Sequence, residues 1–175
     1  MMLSEKLVER LNHQVNLEYY SANLYLQMSS WCELNSLPGC AQFLRQHADE
    51  EIQHMHHLFK YINETGNMAV IGEIKAPPTE YKSVVDVFQQ TYEHECYITK
   101  EINNLVRLTL EEPDYSTHNF LQWYVAEQHE EEHLFNSIVK KIELITEGSG
   151  KRLFMMDKEI KRMATEQQKL VKKRS

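Results

Sequence analysis

Four uninterrupted runs of helical period, each about 26–32 residues long and each with a glutamate set in its apolar stripe, constrain this chain more than any other feature. From Ser4 to about Asn35, Leu7, Leu11, Glu18, Tyr25 and Met28 share a stripe, with Val15, Leu17 and Leu24 beside it, until Pro38-Gly39 breaks the pattern. From about Cys40 to Thr65 the stripe is Leu44, Ala48, Glu51, Met55, Leu58 and Ile62, stopped by Gly66-Asn67. A third run, about Ser83 to Leu110, carries Val84, Phe88, Glu95, Ile98, Ile102 and Leu105, and Pro113-Asp114 ends it. The fourth, about Ser116 to Thr146, carries Leu121, Tyr124, Gln128, Glu131, Phe135, Ile138, Ile142 and Ile145, until Gly148-Ser149-Gly150 interrupts it. A short fifth helix is expected over roughly 152–169, followed by a frayed basic tail over 170–175.

At 1.5 Å rise per residue these runs are rods of roughly 40–50 Å, and only side-by-side packing buries four such stripes. Short links join runs one to two and three to four, which forces antiparallel hairpins. The 14-residue stretch 67–80 has no helical period and is long enough to cross the bundle end to end. The expected fold is all-α: an antiparallel four-helix bundle over about 4–146 with one long crossover and a short C-terminal helix, one domain spanning 1–175.

Composition narrows the function. With 26 acidic against 19 basic residues and a formal charge of −7, nucleic acid is a poor partner. No window reaches the roughly 18 apolar residues of a membrane span, and the start of the chain does not read as a secretory signal, so a cytoplasmic protein is expected. Three cysteines without a C-x-x-C pair argue for reduced thiols rather than a disulfide or zinc framework.

The core of a bundle should not hold Glu18, Glu51, Glu95 and Glu131. One such glutamate ordinarily snorkels to water, but four independent snorkels are improbable, and four ionised carboxylates facing one another must either neutralise or enclose cations. His54 follows Glu51 by three residues, placing an imidazole on the same face, so Glu51-x-x-His54 reads as half of a chelate. On the fourth helix two registers compete. Glu130-x-x-His133 fits a Glu-x-x-His motif by letter, yet its phase meets Ala126, Ser137 and Lys140, whereas Glu131 falls in phase with Tyr124, Gln128, Phe135 and Ile138. The phase argument turns Gln128 and Glu131 inward. An oxygen-rich donor set with one imidazole suits iron or manganese, with iron preferred, and weak ligation on one side leaves positions open for dioxygen or peroxide.

The chain is similar to bacterial non-haem ferritins of the 24-subunit type from about Leu3 to Asp157. The resemblance rests on Asn16-Leu17-Glu18-Tyr19-Tyr20, on Phe43-Leu44-Arg45-Gln46-His47-Ala48 leading into Glu50-Glu51-x-x-His54-Met55, and on Asn119-Phe120-Leu121-Gln122-Trp123-Tyr124-Val125 leading into Glu127-Gln128-His129-Glu130-Glu131-Glu132. It implies ferrous iron oxidised by dioxygen or peroxide at a di-iron centre, and ferric mineral stored in a shell of 24 chains. It further implies that Glu18, Glu51 and His54 hold one iron and Glu51, Glu95 and Glu131 the second, with Gln128 alongside. A third, outlying iron would map onto Glu50, Glu127, Glu130 and Glu131, and Tyr25 and Trp123 match an aromatic pair beside the centre. Bacterioferritin, the haem-bearing relative, carries a haem-ligating Met directly after the helix-two glutamate; here that residue is Ile52, so no haem is expected.

Three other readings compete. A non-storage di-metal oxidase or peroxidase could use a similar centre, a DNA-protecting mini-ferritin could use the basic tail, and a metal-free helical scaffold would need another reason for the inward carboxylates. His47, His56, His57, His94, His129 and His133 have no ligand spacing of the Glu51–His54 kind and are expected at the surface or behind the ligands. Glu50, Glu127 and Glu130 could equally form a solvated acidic face.

Overall fold

The computed structural model describes residues 3–146 and 150–174. It consists of α1 (Glu5–Leu34), α2 (Pro38–Glu64), α3 (Val84–Glu111), α4 (Tyr115–Thr146) and α5 (Gly150–Arg174), with no strand among the described residues. The helices begin where the chain supplies acceptors for orphan backbone N–H groups. Ser4 accepts from Leu7 N at 3.2 Å, Ser83 from Asp86 N at 3.2 Å, and Asp114 from Thr117 N at 3.0 Å. Pro38-Gly39, expected as a break, instead opens α2, because proline at the first helical position loses only a hydrogen bond it would not have made. The reversal before it is completed by Ser36, at φ 60°.

The crossover runs along α1. Asn12 Oδ1 accepts from Val70 N and Asn16 Oδ1 from Gly72 N, both at 2.7 Å, while their amides donate to Met68 O (3.3 Å) and Val70 O (2.9 Å). Two asparagines one turn apart thus satisfy a peptide segment that has no ladder of its own. The crossover brings α3 in antiparallel to α1, as Ser4–Glu112, Arg10–Glu101 and Tyr25–Glu95 contacts record from one end to the other.

Helix α5 is longer than expected. It continues through the basic tail to Arg174, because 151–174 contains neither Gly nor Pro, and cations suit a helix C-terminus. Gly148 and Ser149, expected to separate the last two helices, and Ser175 lie outside the described residues. α5 packs on α2 and α4. Its Asp157 supplies what the start of α2 lacks: Leu37 makes no capping bond, and the Asp157 carboxylate accepts from Gly39 N (3.0 Å) and Cys40 N (2.8 Å).

The hydrophobic interior falls into two clusters. One holds Met28, Phe43, Leu44, Phe88, Phe135 and Ile142 with Met156 and Ile160 of α5; the other holds Leu11, Leu58, Ile62, Ile102, Leu105 and Leu121. Between them lies a polar layer. The three cysteines are free thiols, and no helix among the described residues is long and apolar enough to cross a membrane.

Candidate metal centre

Each bundle helix contributes to this layer near its middle. Glu18, Glu51, His54, Glu95, Gln128 and Glu131 are all buried, Glu18 and Glu95 to 1% exposure, whereas Glu130 and His133 lie at the surface as the phase of α4 requires. Hydrophobic packing above and below fixes the depth of these side chains, since their stripe neighbours cannot leave the core without exposing apolar area.

On one side, ligand atoms of Glu18, Glu51 and His54 all lie within 4.8 Å of one another, and His54 Nδ1 is 3.6 Å from Glu51 Oε2. The Tyr124 hydroxyl donates to the His54 carbonyl oxygen at 2.7 Å, and the Trp123 ring meets the imidazole edge-on at 5.2 Å. Glu95 occupies the middle of the layer. Tyr25, fully buried, donates to its Oε1, while Gln128 Nε2 donates to its Oε2 at 3.0 Å. Glu95 belongs to neither close ligand cluster found among the described residues, and its carboxylate is held by these two donors.

The second close cluster is His47, Glu50 and Glu131. His47, expected at the surface or behind the ligands, is 1% exposed, with Nδ1 3.2 Å from Glu50 Oε2 and 3.6 Å from Glu131 Oε2. A signal for it exists in the sequence: His47-x-x-Glu50 and Glu51-x-x-His54 are mirror images, with i,i+4 pairs linking the two. Gln14 was also missed. One turn before Glu18 and equally buried, it donates to Glu18 Oε1 at 2.8 Å. Of the outlying acidic set, Glu50 and Glu127 are half-buried and Glu130 is exposed; Glu127, Glu130 and Glu131 line one wall of a cleft of about 440 Å³ whose other wall is Met163 and Glu166 of α5.

The electrostatics suit a cation. Burial, reinforced by mutual repulsion, pushes the Glu18, Glu51 and Glu131 carboxyls well above the usual range. Burial carries Glu95 to about 7 even though the Tyr25 and Gln128 bonds pull it down, and burial also carries Glu50 to about 7. Glu18 Oε2 and Glu131 Oε2 are buried without a hydrogen-bond donor. A divalent ion meets both needs, replacing protons and giving the bare oxygens a partner, so the donor set fits iron.

An antiparallel four-helix bundle with a crossover and a carboxylate–imidazole layer at mid-height defines a ferritin-like domain, and the ferritin-like domain profile matches residues 8–145. The chain belongs to the ferritin family. It is 57% identical over 164 residues to a probable bacterial non-heme ferritin-like protein of Haemophilus influenzae, covering 94% of this chain and 99% of that protein. It is 54% identical to a bacterial non-heme ferritin of Campylobacter jejuni, covering 96% and 100%. Among solved structures, an open pore ferritin of the archaeon Archaeoglobus fulgidus superimposes with a TM-score of 0.88 at 42% identity, covering 91% of this chain and 96% of that one.

Proposed function

We propose that this chain stores and detoxifies iron, oxidising ferrous ions within the bundle and depositing the ferric product inside a shell of 24 copies in the cytoplasm. The observation that carries this reading is the buried carboxylate–imidazole layer, which divides the core in two and offers carboxyls whose protons a cation would replace. Membership of the ferritin family, with bacterial non-heme ferritins among the relatives, supports storage and ferroxidase chemistry.

Iron is the substrate and the cargo. Glu18, Glu51 and His54 hold one ferrous ion; Glu51, Glu95 and Glu131 hold the second, with Gln128 closing that side and Tyr25 orienting Glu95. Each ion gives up one electron. Dioxygen accepts the pair with two protons to form hydrogen peroxide, or hydrogen peroxide accepts it with two protons to form two waters. Carboxylates favour the ferric product by charge, and buried carboxyls carrying protons before iron binds release them as it enters. An outlying position near Glu50, Glu127, Glu130 and Glu131 lies on the way out. The position after Glu51 is Ile52, which lacks a haem-ligating thioether, so no haem is expected.

The test is to add several hundred ferrous ions per 24 chains in air, separate by size exclusion, and count iron per chain. Storage requires elution near 24 chains with tens of iron atoms per chain. About two iron atoms per chain on a dimer or smaller species would replace storage with a non-storage di-metal oxidase.

A further inference from the structure

We propose that His47, Glu50 and Glu131 form a divalent-cation site in which His47 supplies the nitrogen ligand, and that iron passes through it between the intra-bundle centre and the cleft lined by α4 and α5. The inference rests on the ferroxidase reading and adds to it a ligand set different from the all-carboxylate outlying position.

Three observations carry it. First, the separations are those of atoms sharing one ion: two ligands each about 2.1 Å from a metal lie about 3.0–3.6 Å apart when they subtend roughly 90–120°. His47 Nδ1 is 3.2 Å from Glu50 Oε2 and 3.6 Å from Glu131 Oε2. Second, the imidazole is held in place. Its ring lies 4.4 Å from Phe43 and 5.0 Å from Phe135, so it is presented in one orientation with little rotamer entropy to lose on binding. Third, Glu127 and Glu130 form no comparably close ligand group with Glu50 and Glu131 among the described residues, although they line the same cleft as Glu131. Glu130 is exposed, and Glu127 Oε1 stands 4.0 Å from His54 Nε2, beside the other imidazole.

The location suits transit. Glu131 is buried in the layer and also lines the cleft of about 440 Å³ bounded by α5, while Glu50 is half-buried. An imidazole in place of a carboxylate lowers the site's negative charge and shifts its preference from ferric iron toward borderline divalent ions such as ferrous iron and zinc. An ion held there is therefore readily passed on.

The test counts bound Zn2+, which is redox-inert, by anaerobic calorimetric titration of the iron-free full-length protein at pH 7, and locates zinc by anomalous diffraction from zinc-soaked wild-type crystals. The expected result is an anomalous peak within about 2.3 Å of His47 Nδ1. His47→Ala and the bulkier His47→Gln should bind one equivalent fewer per chain with high affinity, the lost site weakening at least tenfold, while the Glu18–Glu51–His54 equivalent persists. A peak among Glu50, Glu127 and Glu130 with no contact to His47 overturns the proposal, as does an unchanged equivalent count in both variants. If a variant does not assemble, the wild-type map alone decides. Loss of every high-affinity equivalent in the wild type would instead remove the ferroxidase reading, and this site with it.

Discussion

Gln128 Nε2 donates to Glu95 Oε2 at 3.0 Å and to the Glu95 carbonyl oxygen at 3.3 Å, joining α4 to α3 in the middle of the polar layer. With the Tyr25 hydroxyl on Oε1, both oxygens of Glu95 are held before any metal arrives, whereas Glu18 and Glu131 each keep a bare oxygen. The layer thus combines a fixed central carboxylate with two, Glu18 and Glu131, that each have an oxygen no N–H or hydroxyl donor reaches.

Removing either donor should therefore raise the Glu95 carboxyl further and slow iron entry at the central position. Gln128→Leu and Tyr25→Phe are each expected to slow ferrous oxidation roughly tenfold, the worth of one hydrogen bond to a charged group. Stopped-flow absorbance of the ferric product measures it. Rates unchanged in both variants would mean that Glu95 needs no help to take its place.

Glu18 and His54 have a more direct part. Glu18→Ala and His54→Ala should each abolish one high-affinity metal equivalent and slow ferrous oxidation by about a hundredfold, without unfolding the bundle, since both changes reduce buried polarity. Oxidation at the wild-type rate in either variant would place the chemistry elsewhere.

Proton linkage gives a pH signature. Burial raises the Glu95 and Glu50 carboxyls to about 7 in the metal-free fold, from the 4.5 of an exposed glutamate. Below about pH 4.5 both states are protonated, so the raised values cost nothing. Between about 4.5 and 7 the unfolded chain binds fewer protons than the native one, and stability falls as pH rises through that window. Denaturant melts of the metal-free protein should show this fall, and Zn2+ at pH 7 should reverse it with release of protons to the buffer. A metal-free protein equally stable at pH 5 and pH 7 would contradict the assignment.

The dock between α5 and α2 is testable through stability. Asp157 bonds the backbone N–H groups of Gly39 and Cys40 as a helix cap would, so Asp157→Ala should cost about 1–2 kcal/mol. Gly39→Ala should be worse, because a Cβ there would stand 2.1 Å from the Asp157 carbonyl oxygen, a backbone atom that cannot step aside without moving α5. Thermal melts of the assembled protein decide; Gly39→Ala melting at the wild-type temperature would show that α5 yields.

Periodicity was enough to find the four bundle helices, their antiparallel order and the long crossover, because an apolar stripe of period 3.6 has one way to be buried when four of them share a chain. The same periodicity exposed Glu18, Glu51, Glu95 and Glu131 as misfits, and it turned Gln128 and Glu131 inward against the more familiar spacing of Glu130 and His133. Helix ends were less legible. Pro38-Gly39 reads as a break in one dimension, and only the carboxylate of Asp157, 118 residues away from Gly39, makes it a capped helix start.

What the sequence alone determined was which side chains must face the core, since burial follows from local phase. Which of them meet was decided by tertiary structure. Glu95 meets Tyr25 and Gln128, and His47 meets Glu131, through the packing of helices distant in the chain, and contacts of that kind leave no period to read. The polar layer was therefore written along the chain, while its division between a held carboxylate, two bare oxygens and a second imidazole exists only once the four helices close.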